Sequence, residues 1–461
     1  MTGTVEDGTL RQEQRDVALL PQEVRSEASY RRAVVCIGFS FFGVFGGFQA
    51  AQGLQTSVNA ELGFINLAVL YLTFSLVCLI APPALATLED VVGLRLVMLV
   101  CSLAYVAMVV SNIHTEQWAL PISMNALVGV AAPLLWTSQN DYVGRCAYHG
   151  AKAKLSAQGG AADETSFVEE QSRLTAALNG SFFSIYQFTG MFGTLLASTL
   201  MLSLGSRAWM KDALFLILGG VSLCGAASFL CMPRVPRAPR TSEASPSLRA
   251  TVALVADYRM ALMVPLIFTN GMTLAFILGD FPTDVVCPVL GSDFTGFVIA
   301  AFFGVNSIAT AVWGRLTSTR WISRRSAYCL AGMCEMAFLA CKIFWKHPDN
   351  FTHEDGKWEK IASVGMQDAL AVFMLSGLFA VGDAFWEPGP PATLQNFYLG
   401  TDNIVPAMAN LKLWQSLGFA VQFAIGAKFG SYPVARDGVL LCMIAVSILC
   451  ILILNCKASL Q

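Results

Sequence analysis

Three carboxylic acids stand where a water-soluble chain seldom keeps them: Asp280, Asp383 and Glu387 each fall within or at the end of a long apolar run. An ionised carboxylate at membrane depth needs an opposite charge or must take up a proton. Lys412, near the start of another run, is the expected counter-ion of Glu387, as a clamp between neighbouring helices or as part of a pathway. Gln49, Gln52 and Gln55 recur every third residue, a spacing that expects them on one side of a helix. Trp136 and Gln139 share a further run, and Asn270 shares one with Asp280. Gln49, Gln52, Gln55, Trp136, Gln139, Asn270, Asp280, Asp383 and Glu387 are therefore candidates to line a polar cavity, with hydrogen bonding between helices as the plainer alternative. Glu335 sits mid-run, where it must turn inward or mark a docking surface for another membrane protein.

Other chemistries are poorly served. His114, His149, His347 and His353 lie in or near polar loops, and no C-x-x-C or H-x-x-x-H spacing accompanies them, so neither metal nor cofactor is expected. Most of the 13 cysteines fall in apolar runs, where they act as small hydrophobes. With no nucleophile and base arrangement or phosphate loop, the chain does not read as an enzyme. A net charge of −2 argues against nucleic acid as a partner. Asn350-Phe351-Thr352 is a glycosylation sequon in a polar loop, whereas Asn179-Gly180-Ser181 opens an apolar run and is expected to go unused. Asp16-Val17-Ala18-Leu19-Leu20 reads as a short acidic dileucine sorting signal.

The elements that position these groups are membrane helices. Of the 461 residues 55% are hydrophobic and 13% charged, with mean hydropathy +0.59, against roughly a quarter charged in an average globular protein. Lipid is the natural solvent for such a surface. Twelve runs reach the roughly 20 residues needed to cross a bilayer: 33–55, 63–86, 93–113, 118–138, 175–203, 212–232, 260–281, 294–315, 326–345, 363–386, 408–429 and 434–455. The expected fold is an all-α membrane protein with twelve transmembrane helices in two six-helix bundles. Residues 1–32 form a polar cytoplasmic tail, 33–232 the first bundle, 233–258 a linker rich in Pro, Arg and Ser, and 259–461 the second bundle. Leu248, Val252 and Val255 fall at helical spacing in the linker, which expects a short amphipathic helix on the membrane face. Lys and Arg concentrate in the tail, the linker and the loops sharing their side, so both termini are expected to be cytoplasmic, in the plasma membrane or an endomembrane. Gly43 and Gly47 have the spacing that allows two helices to approach closely.

Two loops at matching places in the halves carry a family signal. Leu88 to Arg95 (LEDVVGLR) keeps Asp90, Gly93 and Arg95, and Gly314 to Arg325 (GRLTSTRWISRR) keeps Gly314, Arg315, Arg324 and Arg325. Both resemble the signature loop of the major facilitator superfamily, in which Gly permits a tight turn and Arg pairs with helix ends and acidic groups. Longer segments are more specific. FQAAQGLQTSVN (Phe48 to Asn59), LAVLYLTFSLVCLIAP (Leu67 to Pro82), APLLWTSQNDYV (Ala132 to Val143), NGSFFSIYQFTGMFG (Asn179 to Gly193), PLIFTNGMTLAFILGDF (Pro265 to Phe281) and MANLKLWQSLGFAVQF (Met408 to Phe423) resemble the uncoordinated-93 ion-channel-regulator family, a branch of that superfamily. One departure is visible: the family's Gly-Asp-Ala is followed by Asn-Thr-Gln, whereas Gly382-Asp383-Ala384 leads here to Phe385-Trp386-Glu387-Pro388.

The resemblance implies that spans one, four, seven and ten line a central cavity. It also implies a protein that regulates or traffics a partner membrane protein such as an ion channel or receptor. The alternative is a secondary transporter of a small solute, with proton coupling through Asp280 or Asp383.

Overall fold

The computed structural model describes residues 26–457 except 59, 158–163, 205–208, 239–247, 320, 355–356, 399–400 and 402; the sorting motif at Asp16–Leu20 lies outside the described residues. The first half comprises α1 (Glu27–Val58), α2 (Ala60–Cys78), α3 (Ala81–Val92), α4 (Leu94–Ser111), α5 (Ala119–Ala157), α6 (Glu164–Leu204) and α7 (Met210–Ser228). Then come the short α8 (Leu248–Leu254), α9 (Tyr258–Leu278), α10 (Thr295–Ser318), α11 (Arg324–Phe344), α12 (Met366–Trp386), α13 (Gly389–Tyr398), α14 (Ile404–Lys428) and α15 (Pro433–Lys457). Eleven helices among the described residues are long and apolar enough to cross a membrane. The expected eleventh span is α14, which has the length, 25 residues, but is less apolar because it carries Asn410, Lys412, Gln415, Ser416 and Gln422.

Local chemistry sets most boundaries. Gly93, at φ +81, takes a conformation that a Cβ disfavours, and so ends α3 and starts α4. Asp257 caps α9 by accepting from the Arg259 amide at 2.8 Å, and Ser323 caps α11 by accepting from the Ser326 amide at 3.1 Å. Helices α5 and α6 run well past their apolar runs. Their extensions are held together where Lys154 meets Glu170 at 2.9 Å, with Arg173 on the same carboxylate at 2.5 Å. Beyond α9, Pro282–Val286 winds as a π-helix and Cys287–Leu290 as one further α turn, carrying Asp280 and Asp284 towards the end of the bundle opposite the signature loop. At that end lies a feature the apolar pattern does not announce: β1 (Phe351–Glu354) pairs antiparallel with β2 (Lys357–Lys360), with His353 opposite Trp358.

Buried apolar side chains form two clusters, one drawn from Tyr30 to Val235 and the other mostly from Leu254 to Leu454. Two pairs of helices make most of the contact between the halves: α2 packs on α14, and α6 packs on α10. Advancing each helix by six spans turns one pairing into the other, so the interface has the internal two-fold symmetry of paired bundles. Close packing inside the first half uses Gly43 and Gly47. A Cβ at Gly43 would lie 2.6 Å from the Gly225 Cα, and one at Gly47 would lie 2.2 Å from the Leu218 carbonyl oxygen, so α1 and α7 touch through their backbones. In α8, Thr251 and Leu254 face inward while Leu248 and Val252 face outward, and Asn410 donates to the Thr251 carbonyl at 2.7 Å.

Candidate functional site

Between the halves lies a cavity of about 190 Å³ whose walls come from both. Helix α1 supplies Gln49 and Gln52, α5 supplies Trp136, and α14 supplies Lys412 and Gln415, while Glu387 enters from the break between α12 and α13. Five sequence candidates thus meet in one place. Gln52 donates to the Tyr71 hydroxyl at 2.8 Å, and Gln49 donates to the Tyr186 hydroxyl at 3.3 Å while accepting from Thr189 at 2.6 Å. The aromatic walls brace one another: Trp136 meets Tyr186 edge-on at 5.1 Å, and Tyr71 stacks on Phe419 at 4.1 Å across the interface between halves. Glu387 and Lys412 are exposed to this cavity and attract one another across it. No ion pair within 4.0 Å joins them, however, contrary to the direct pairing expected from the sequence. Lys412 donates instead to Gln415 Oε1 at 3.1 Å and stands 5.7 Å from the Trp136 ring centre.

A buried polar chain runs from this cavity into the second half. Gln415 donates to Asn270 Oδ1 at 2.8 Å, Asn270 donates to Asp383 Oδ1 at 3.3 Å, and Asn306 donates to Asp383 Oδ2 at 2.7 Å. Asn270 and Asp383 therefore sit behind the cavity wall and do not line it. Glu335 has turned inward against Gly382 in α12, and its carboxyl is buried with no hydrogen-bond partner among the described residues.

Besides Asn270 and Asp383, three more cavity candidates are corrected by the geometry. A helix turns about 100° per residue, so each three-residue step falls about 60° short of a full turn and Gln55 points about 120° away from Gln49. It faces the Met108 sulfur at 3.8 Å instead. Gln139 is buried with its amide unpartnered among the described residues and does not reach the cavity. Asp280 belongs to a separate buried charge cluster that the sequence reading missed. Arg436 pairs with Asp280 and, at 2.7 Å, with Asp284; Lys342 joins Asp284 at 2.9 Å and Asp437 at 2.7 Å. Gln422 completes it by donating to Asp280 Oδ2 at 2.8 Å. Lys342 and Arg436 had the appearance of ordinary loop charges, because nothing local in the sequence shows that α11 and α15 deliver them to Asp280 and Asp284.

The N-terminal signature loop is a working set of ion pairs. Arg237 reaches Asp90 at 2.5 Å and Glu89 at 2.9 Å, and Arg145 reaches Glu89 at 2.7 Å while also pairing with Asp141. Arg95 donates to the carbonyls of Leu230 at 3.1 Å and Met232 at 2.8 Å, the end of the α7 segment. Glu89 is the hub, although Asp90 is the residue the motif singles out. Burial opposes its ionisation, but hydrogen bonds from Arg237 and Arg145 outweigh that and hold its carboxyl below the usual range. The C-terminal copy is different. Gly314 and Arg315 are still inside α10, which runs to Ser318, and Arg324 and Arg325 make no ion pair among the described residues. At the sequon, Asn350 is buried with its amide donating to the Val289 carbonyl at 3.1 Å.

Two helical halves, their symmetric pairing and the cavity between them define an integral, multi-pass membrane protein of the major facilitator fold. The chain belongs to the family described as ion channel regulatory protein UNC-93, which it matches over residues 54–455. It is 24% identical over 434 residues to protein unc-93 homolog A of Bos taurus, covering 85% of this chain and 86% of that one. To protein unc-93 homolog A of Danio rerio it is 26% identical over 433 residues, covering 85% and 84%. Among solved structures, nucleoside transporter NupG superposes with TM-score 0.59 at 11% identity, covering 93% and 98% of the two chains. A POT family transporter in complex with a thioalcohol-conjugated peptide gives TM-score 0.60 at 10% identity, covering 92% and 95%. These likenesses to structures bear on the fold alone.

Proposed function

We propose that this protein regulates or traffics a partner membrane protein such as an ion channel or receptor. The observation that carries this reading is the family match across residues 54–455, nearly the whole membrane-embedded chain. Geometry adds a mechanism. The loop-end ion pairs among Glu89, Asp90, Arg145 and Arg237 tie α3, α5 and the start of the linker into one block. The two halves, 33–232 and 259–461, are two units joined by the linker, and a partner reads their relative position. The Lys and Arg distribution supports cytoplasmic termini, which puts the clasp on the cytoplasmic side of a plasma or endomembrane. Purification in mild detergent, followed by identification of co-purifying membrane proteins, tests this. A channel or receptor in stoichiometric amount is expected, and its removal from the cell surface when this chain is depleted; a lone monomer with no effect on any channel overturns it.

The second reading, a secondary transporter, is favoured by one observation: two opposite charges exposed in a cavity between symmetric halves, wired through Gln415 and Asn270 to the buried carboxylate of Asp383. That wire supports Asp383 as the coupling acid, and Asp280, locked by Arg436, loses that role. Proton-gradient-driven uptake into vesicles, abolished by Asp383→Asn and retained in Asp280→Asn, is the expected result.

A further inference from the structure

The buried cations elsewhere in the second half, Arg436 and Lys342, are matched by direct contact with Asp280, Asp284 and Asp437, while buried Asp383 is held by the amides of Asn270 and Asn306. Glu387 and Lys412 are treated otherwise. Among the described residues they are the two charged side chains lining the cavity, and the fold keeps them beyond ion-pair distance. Among the described residues the Glu387 carboxylate accepts no hydrogen bond, and Lys412 spends one of its three N–H donors, on Gln415. Charges held apart in a low-dielectric site are costly unless something bridges them. A bridge must offer a negative group to Lys412 and a positive group to Glu387. A simple amine would leave Lys412 unmatched, and a simple acid would leave Glu387 unmatched.

The walls define the rest of the molecule. Phe48, Tyr71, Tyr105, Trp136, Tyr186 and Phe419 present ring faces and edges, which suits an apolar or aromatic body. Tyr71 receives the Gln52 amide on its oxygen and keeps its own O–H to give. At about 190 Å³ the space is below the roughly 300–1,000 Å³ of sites for drug-sized ligands, so the occupant is no larger than a single amino acid. We propose that the cavity binds a small zwitterion with an aromatic body, of the class of the aromatic α-amino acids, its carboxylate at Lys412 and its ammonium at Glu387. This rests on the cavity alone and holds whether the solute is carried across the membrane or only biases the shape shown to a partner.

Three probes with one ring separate the charges: L-phenylalanine, phenethylamine and 3-phenylpropionate. Binding of each to the purified full-length protein is read by competition against radiolabelled L-phenylalanine and by thermal shift. Saturable L-phenylalanine binding is expected, with each singly charged probe weaker by about tenfold or more. Lys412→Met should erase the preference over phenethylamine, and Glu387→Gln the preference over 3-phenylpropionate, in preparations that remain monodisperse. Absence of saturable L-phenylalanine binding to the wild-type protein, or equal affinity for all three probes, overturns the inference without need of a variant. So does an unchanged preference in both variants. Binding without uptake into vesicles would end the transporter reading and leave the site standing; a co-purified channel bears on neither result.

Discussion

The buried cluster at the end opposite the signature loop makes a quantitative test of how this bundle is held together. Asp280, Asp284 and Asp437 set three carboxylates against Arg436 and Lys342, leaving the cluster one negative charge in excess. Among the described residues Arg436 is the only cation on Asp280 and one of two on Asp284, and both it and Asp280 are buried. Arg436→Met keeps the volume but doubles the excess charge and leaves Asp280 with Gln422 alone. Breaking a buried pair by removing one partner costs about 3–5 kcal/mol. At about 1.4 kcal/mol per tenfold, the unfolded share rises on the order of a hundred- to several-thousandfold. Asp280→Asn should cost much less, because Arg436 keeps Asp284 and the excess charge disappears. The double variant restores the original balance and should recover part of the loss. Melting of the detergent-purified protein followed by size-exclusion fluorescence gives the ranking, with Lys412→Met as a comparison expected to melt near the wild type, since that ammonium is exposed in the cavity. If Arg436→Met melts with the wild type, or the double variant falls below Arg436→Met, the pairing argument is wrong.

Two further outcomes follow from features outside the spans. Glu89 binds its proton more weakly in the folded chain than in the unfolded one, so its contribution is complete above the unfolded value of about 4.3 and is lost as pH falls through the lowered folded value. Acidification from about pH 5 downward should therefore destabilise the wild type more steeply than Glu89→Gln; parallel pH profiles would remove Glu89 from its place as hub. Asn350 should carry no glycan, seen as no mobility change on glycosidase treatment. Asn350→Ala should instead leave the Val289 carbonyl unmatched at a cost of about 1–3 kcal/mol, seen as lowered melting.

Much of the architecture was legible because lipid imposes a simple rule on sequence: long apolar runs, interrupted where charge, Pro or Gly collects. The prolines at 388, 390 and 391 fall where α12 has ended and α13 begins, as a ring that removes an N–H requires. Gln49, Gln52, Trp136, Glu387 and Lys412 could be picked out because each is polar or amphipathic in an apolar setting, and the structure gathers them around one cavity. What failed did so for identifiable reasons. Gln55 was misplaced because a three-residue spacing drifts around the helix. Asp280 was misassigned because its partner lies 156 residues away, and a charge near the end of a run looks solvated until packing shows otherwise. Gly314 lacks the turn its motif implies because α10 continues through it to Ser318. Glu89, one position from the conspicuous Asp90, is set apart only by Arg145 and Arg237 converging on it.

Helix α14, with its string of amides and its lysine, partitions poorly into hydrocarbon when alone, yet it packs against both α2 and α9. During synthesis it must therefore settle against helices already resident in the bilayer, which act as its solvent. Biogenesis of this protein then has a late, partner-dependent step, and lesions on the faces of α2 or α9 that receive α14 would appear first as mis-threading of the chain from α14 onward, before any failure in what the finished protein does.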